Sequence, residues 1–261
     1  MPEAAGLYFE QHGKSDAPPL IRSSGLGGSA SYWAPNIPAL AEHFRVIAYD
    51  HRGTGRSDRA LPHVVKVDDF ANDIRVLMDA LGIARAHLIG HAAGGVAGLA
   101  LALTAPERLD TLIIVNGWAK ADPHFLRCFE ARLNLLRNSG IEAYVRAQPI
   151  FLYPAEWSSQ HSAVLDREAK HQITDFPAIE ALERRIDFLR RFDISDNFGS
   201  FETPMLALAA ADDMLVPTSC SRALAKHIAT CEFALMEWGG HACNITDSAT
   251  FNRLVLEFLR S

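Results

Sequence analysis

The chain has few cysteines and no pattern among them. Cys128, Cys220, Cys231 and Cys243 are the four in 261 residues, and no Cys-x-x-Cys spacing occurs. That speaks against a zinc knuckle or a dithiol redox motif, and reduced thiols in a cytoplasm are expected rather than a disulfide framework. Basic residues are in deficit: 25 Lys and Arg against 31 Asp and Glu give a net charge of −6. A phosphate-binding surface needs a basic excess, so no nucleic-acid partner is expected. No apolar run approaches the length that spans a bilayer, and residues 1–10 lack the basic-then-apolar order of a signal peptide. No membrane partner is expected. No pair of histidines has ligand spacing on one helix face, so no metal is expected. Internal repeats and low-complexity segments are lacking too.

What is present is an ordinary globular composition, 49% hydrophobic and 21% charged, in a chain long enough for one large domain or a domain with an insertion. Apolar runs at residues 7–10, 20–23, 45–49 and 109–115 read as strands. Helical patterns cover 35–43 and 67–81, the second ending at Gly82. Strands apolar on both faces, alternating with helices, predict an α/β fold with a mostly parallel sheet flanked by helices. Between 116 and 200 the strands stop. Helices are expected at 123–138, 141–147, 158–171 and 179–192, with Trp118, Phe125, Phe129, Phe151, Tyr153 and Trp157 among them. The expectation is a core of residues 1–115 and 201–261 with an inserted helical cap at 116–200, most of these aromatics forming the cap's own interior. Alternation resumes with strands at 205–210 and 231–236 and helices at 218–228 and 248–259.

The stretch His87-Leu88-Ile89-Gly90-His91-Ala92-Ala93-Gly94-Gly95 has the form of a nucleophile elbow, Gly-x-Ser-x-Gly between a strand and a helix. Gly90 and Gly94 occupy the two glycine positions, where strand and helix crowd each other. The nucleophile position holds Ala92, which has no atom able to attack.

Three further stretches fall at carboxyl ends of strands, where open α/β sheets bind ligands. Ser24-Gly25-Leu26-Gly27-Gly28 can turn backbone N–H groups toward a ligand. In an elbow architecture the N–H groups of Leu26 and Ala93 form the oxyanion hole, with Ser24 and Gly25 beside the substrate. A phosphate cradle or a plain turn is the alternative, although no Gly-Lys-Ser or Gly-Lys-Thr follows. Asp212-Asp213 precedes Pro217, and the register of a triad acid picks Asp213, leaving Asp212 as a solvated neighbour. His241, in Gly239-Gly240-His241-Ala242-Cys243, follows the last strand and can reach back to the elbow. His91 lines the pocket or packs beneath it, and Trp118 and Tyr153 are candidates to contact the substrate. Cys243 reads as a small core residue.

The order elbow, Asp213, His241 resembles the α/β-hydrolase superfamily over nearly the whole chain, and Asp50-His51-Arg52-Gly53-Thr54-Gly55-Arg56-Ser57 is similar to a stretch common there. Four segments resemble the RutD family more closely: Val115-Asn116-Gly117-Trp118, Ala147-Gln148-Pro149-Ile150-Phe151-Leu152-Tyr153-Pro154-Ala155-Glu156-Trp157, Leu215-Val216-Pro217-Thr218-Ser219-Cys220-Ser221 and Gly239-Gly240-His241-Ala242-Cys243-Asn244. The resemblance implies a cytoplasmic bacterial enzyme of pyrimidine breakdown, hydrolysing a small labile aminoacrylate or carbamate without a cofactor. It also implies that Ala92 is native, since members of that family carry Ala in the elbow. His241, oriented by Asp213, would then activate a water in the space Ala92 vacates. An oxyanion hole and binding alone retain about 10³- to 10⁴-fold catalysis in serine-protease knockouts, too little for a stable amide and enough for a labile substrate. Three alternatives stay open: an Ala92 engineered from Ser in an acyl-transferring hydrolase, a non-catalytic binder on a hydrolase fold, and a cofactor-free oxygenase or lyase. The oligomeric state is open as well, a homodimer included.

Overall fold

The computed structural model describes residues 3–260. In chain order it forms β1 (Glu3–Ala4), β2 (Leu7–His12), β3 (Pro19–Ser23), α1 (Ile37–Ala41), β4 (Arg45–Tyr49), α2 (Val67–Ala80), β5 (Ala86–His91), α3 (Ala93–Thr104) and β6 (Leu109–Val115). Four helices follow: α4 (Pro123–Leu152), α5 (Ala155–Gln160), α6 (Ser162–Thr174) and α7 (Ile179–Arg191). The chain closes with β7 (Met205–Ala210), α8 (Thr218–His227), β8 (Cys231–Met236), α9 (Cys243–Thr246) and α10 (Ser248–Leu259).

The strands make one sheet in the order β1-β2-β4-β3-β5-β6-β7-β8. The pairs β1–β2 and β2–β4 are antiparallel and the others parallel. This is the mostly parallel α/β sheet that the alternation predicts. Successive side chains of each central strand enter opposite hydrophobic clusters. Ile21, Ile47, Leu88 and Leu112 join α2, α3 and α8 on one face, and Leu20, Val46, Ile89 and Ile113 join α1 and α10 on the other. Burial on both faces explains why these strands read as continuous apolar runs. The cluster on the α3 side continues into Phe125, Phe129 and Leu133 of α4 and Leu182 of α7, so the helical segment shares its apolar interior with the sheet.

Strand order reverses around β3, which has β4 on one side and β5 on the other. The loops leaving β3 and β5 therefore flank a topological switch point, where a crevice opens beyond the strand ends. Contact there is very close. A Cβ on Gly90 would lie 2.4 Å from backbone atoms of Gly94 and Gly95, and one on Gly94 would lie 2.2 Å from the Ser23 carbonyl oxygen. Between these glycines Ala92 takes φ 46° and ψ −108°, a strained conformation for a residue with a side chain. Its N–H donates to the Val115 carbonyl at 2.9 Å and its carbonyl accepts from Val96 N–H at 3.0 Å, so β6 and α3 together hold the strain in place.

The structure adds β1 and α9, which the sequence pattern does not predict, and it departs from the expectation in three helical stretches as well. The helix expected at 35–43 is shortened to Ile37–Ala41, after a 3₁₀ turn at Ala30–Trp33 capped by Ser29; so short a turn carries no periodicity. The helices expected at 123–138 and 141–147 run together to Leu152, broken only at Gly140 with φ 86°. The helix expected at 158–171 is two helices. The Trp157 carbonyl accepts both the backbone N–H and the ring Nδ1 of His161, which ends α5.

The crowding at the elbow has a measurable consequence. Gly94→Ala should destabilise the fold by about 1–3 kcal/mol or more, because the clash is with backbone rather than with a flexible side chain. Urea unfolding at neutral pH reads this directly. An unchanged midpoint would show that β3 and α3 can separate freely.

Candidate active site

Asp213 and His241 lie on the loops that follow β7 and β8, which are neighbours in the sheet. The structure brings them together: His241 Nδ1 is 2.7 Å from Asp213 Oδ2, and the two side chains are 3% and 0% exposed. The other carboxylate oxygen, Oδ1, accepts from the backbone N–H groups of Leu215 at 2.7 Å and Val216 at 2.9 Å. With both oxygens committed, the carboxylate is fixed in place. A carboxylate accepts and does not donate, so Nδ1 carries a proton. In a neutral imidazole so oriented, Nε2 is the atom with the lone pair.

The loop after β3 faces the elbow. Gly28 N–H donates to the Gly25 carbonyl at 3.0 Å, closing the turn, and the Gly28 carbonyl accepts from His51 N–H at 2.7 Å. Arg185, on α7, donates from Nη2 to the Leu26 carbonyl at 2.9 Å. The N–H groups of Leu26 and Ala93 form no hydrogen bond among the described residues, as expected for a loop amide and the first turn of a helix. Gly25 tolerates no side chain, since a Cβ there would be 2.8 Å from His91 Nδ1 and 3.9 Å from the Ala92 methyl. Ala92 is itself buried.

His91 is buried, with its ring 4.6 Å from that of His241. Its Nε2 donates to the His241 carbonyl at 2.8 Å, which leaves Nδ1 a lone pair without a partner. Ser24 Oγ and Trp118 Nε1 are also buried without partners; Trp118 packs on Phe125 with ring centres 4.5 Å apart. Tyr153 stacks on Trp157, and burial pushes its phenol up to about 12. Asp212 is exposed, and it also accepts from Gly240 N–H at 2.8 Å, tying the two loops together. Cys243 is fully buried 3.7 Å from Asn116 Nδ2, and burial, with Asp213 adding to it, raises its thiol well out of the thiolate range.

Three site residues had no role assigned from the sequence. Asn116, at φ 49°, sits just past β6. Its Nδ2 donates to the His241 carbonyl at 2.8 Å and its Oδ1 accepts from Ala210 N–H at 3.0 Å. A polar residue directly after the apolar run Leu112–Val115 was the available signal. Tyr32 lies 4.9 Å from the His91 ring and donates to Asn244. Arg185, buried, holds the β3 loop from the helical segment; no sequence signal distinguishes it from the other arginines of α7. No group of three His, Cys, Asp or Glu residues able to hold a metal ion occurs among the described residues.

Residues 18–247 match the family model of the alpha/beta hydrolase fold. A protein of Caulobacter sp. strain K31 named "Putative carbamate hydrolase RutD" is 52% identical, covering 97% of this chain and 96% of that one. The protein of the same name from Serratia proteamaculans strain 568 is 48% identical, covering 97% and 96%. The solved structure of the enol-lactonase from Burkholderia xenovorans LB400 superposes with a TM-score of 0.88 at 27% identity, covering 99% and 98%.

Two buried histidines give stability a pH dependence. Burial pushes both His51 and His91 well below the usual 6.5, with Arg185 and His241 respectively adding to it. Both are neutral in the fold and protonate readily once unfolded. Their contribution is therefore complete above about pH 6.5 and declines as pH falls below it, by at most roughly 1.4 kcal/mol per pH unit for each group. Urea unfolding between pH 7 and pH 5 should show falling stability, with a shallower slope in His91→Asn. Equal slopes for the two chains would mean that His91 protonates as easily in the fold as out of it.

Proposed function

Because the chain belongs to the RutD family of α/β-hydrolases, we propose that it hydrolyses a small, labile carbamate or aminoacrylate of pyrimidine breakdown by a water that His241 activates. The observation that carries this reading is the Asp213–His241 pair, 2.7 Å apart and buried, beside an elbow whose central residue is Ala92. A base oriented in this way serves no purpose in a pure binding protein, which disfavours the non-catalytic alternative. The names of the relatives favour hydrolysis over oxygenase or lyase chemistry.

In this reading the segment 116–200 is a cap over a core of 1–115 and 201–261, limiting substrate size and excluding bulk water. The substrate sits between the cap and the elbow, beside Ser24, Gly25, His91, Trp118 and Tyr153. A water takes the place that a serine hydroxyl has in an ordinary elbow. His241 Nε2 accepts one proton as the oxygen attacks, and Asp213 stabilises the imidazolium that forms. In the carbamate route the N–H groups of Leu26 and Ala93 stabilise negative charge developing on the substrate oxygen. His241 then returns the proton to the departing nitrogen, and a carbamate yields ammonia and bicarbonate. An aminoacrylate takes a proton from solvent at the carbon beside its carboxylate to become an iminium, adds the activated water at the iminium carbon, loses ammonia and gives the proton back to solvent, leaving the semialdehyde; no oxyanion forms on that route. Both routes conserve atoms with water as sole co-reactant, in a cytoplasm, and no cofactor is required.

A positioned base contributes roughly 10²- to 10⁴-fold. His241→Ala should lower ammonia release by about that factor with the fold intact, and Asp213→Asn should do nearly as much by freeing the imidazole. Full turnover by both variants would remove His241 from the reaction.

The missing nucleophile gives a separate check by intact mass after treatment with a fluorophosphonate. The chain should stay unlabelled, and Ala92→Ser should gain one adduct, since a hydroxyl there meets both base and oxyanion donors. Ala92→Ser combined with His241→Ala should lose it again. An adduct on the unaltered chain at Ser24 or Cys243 would show that the nucleophile lies elsewhere.

A further inference from the structure

The first helix of the segment is two half-helices joined by a buried clasp. α4 runs from Pro123 to Leu152, and Gly140 inside it takes φ 86° and ψ 180°, outside the helical region. A Cβ on Gly140 would meet nothing within 4 Å, so no neighbour packs against the break itself. Arg132 of the first half spans it. Its Nη2 donates to the Tyr144 hydroxyl at 3.1 Å and to Gln148 Oε1, both on the second half. Gln148 Nε2 donates in turn to the Tyr144 carbonyl at 2.7 Å. The guanidinium also lies over the rings of Phe129 on the first half at 4.7 Å and of Tyr144 and Phe151 on the second at 5.5 and 5.7 Å. Arg132, Tyr144 and Gln148 are all buried, where hydrogen bonds are stronger than in water.

Each half ends on one of the loops that carry the buried pair. At the start of α4, Asp122 caps the helix by accepting from His124 N–H at 2.7 Å. His124 Nε2 donates to the Met214 carbonyl at 2.8 Å, and the Cys128 thiol, one turn on, is 3.7 Å from the same carbonyl. Met214 lies between Asp213 and the Leu215 and Val216 amides that the Asp213 carboxylate accepts from. At the far end, the Leu152 carbonyl accepts from Ala242 N–H at 2.9 Å. A Cβ on Gly240 would lie 3.0 Å from that same carbonyl and 2.9 Å from Pro154 Cδ. The residues on either side of His241 thus both rest on the end of α4. The sheet fixes the roots of the two loops, since β7 and β8 are neighbours, and Asp212 ties them once at Gly240. Their outer sides are met by α4.

We propose that α4 is a strut that positions Asp213 against His241, with His124 and Arg132 as its positioning residues. His124 sets the acid's loop on the first half. Arg132 makes one rod of the two halves, so the same body sets the base's loop through the second. The proposal goes beyond the hydrolase reading, because it concerns the geometry of the pair whatever reaction the pair serves.

The test reads the proton between acid and base. The Nδ1–H of His241, bonded to Asp213, should give a downfield proton resonance in NMR of the unaltered chain, identified by its loss in His241→Gln. Arg132→Met should move that resonance upfield, toward a ring N–H bonded to water. Gln148→Met opens the clasp from its other side and keeps the charge, and should move it the same way. His124→Ala should do so as well, while His124→Gln keeps an N–H donor at that reach and should restore most of the shift. Leu133→Ala removes an apolar core contact of α4 and touches neither clasp nor loops. It should leave the resonance in place even as stability falls. In the hydrolase reading, kcat for ammonia release should fall with the resonance by about tenfold, with KM within about twofold. If Arg132→Met does not fold, Gln148→Met and His124→Ala decide. An unmoved resonance in a folded clasp variant or in His124→Ala, or an equal movement in Leu133→Ala, overturns the proposal. A chain that releases no ammonia sinks the hydrolase reading alone, because the resonance needs no turnover.

Discussion

The close approach of β3, β5 and α3 is the constraint on which the rest of the structure depends. Gly90 and Gly94 leave no room for a methyl group, and the chain can pass from strand to helix there only through the strained turn at Ala92. The turn sets residue 92 at the strand ends, facing the β3 loop at Gly25. It also leaves the first amides of α3 without partners, because a helix start always does. Ala92 keeps this strained geometry with a methyl side chain, and the Ala93 amide beside it has no partner among the described residues.

The position of His241 depends on a second layer of contacts. The side chain of His241 is held by Asp213, and its backbone carbonyl by two donors, His91 Nε2 and Asn116 Nδ2, each at 2.8 Å. Asn116 bonds as well to the Ala210 amide, so β5, β6 and β7 all bear on the position of one imidazole. These bonds are buried, where an unmet donor is costly. The tautomers follow from the same bonds: Asp213 places the proton of His241 on Nδ1, and the His241 carbonyl places that of His91 on Nε2.

The helical segment is tied to the sheet by shared apolar packing and by arginine. Arg185 reaches from α7 to the Leu26 carbonyl and to His51, so the loop offering the Leu26 amide is positioned from above as well as from the sheet. Arg185 has carbonyl and imidazole partners for two of its nitrogens, and its Nε is buried without one.

Much of this was legible in the amino-acid order. Strands rich in apolar residues stand out from their surroundings, so 45–49, 109–115, 205–210 and 231–236 could be bounded to the residue, although only 205–210 is apolar and buried throughout. The glycine spacing at 90 and 94 marked the elbow, because only absent side chains permit that contact. Asp213 and His241 could be chosen from the strands they follow. Tertiary structure alone decided the rest. Asn116, Tyr32 and Arg185 act through partners 125 to 212 residues away, and no local periodicity records such a pairing. Whether a buried polar side chain is partnered depends on atoms from several strands meeting at one point, and that meeting is set by the order of the sheet.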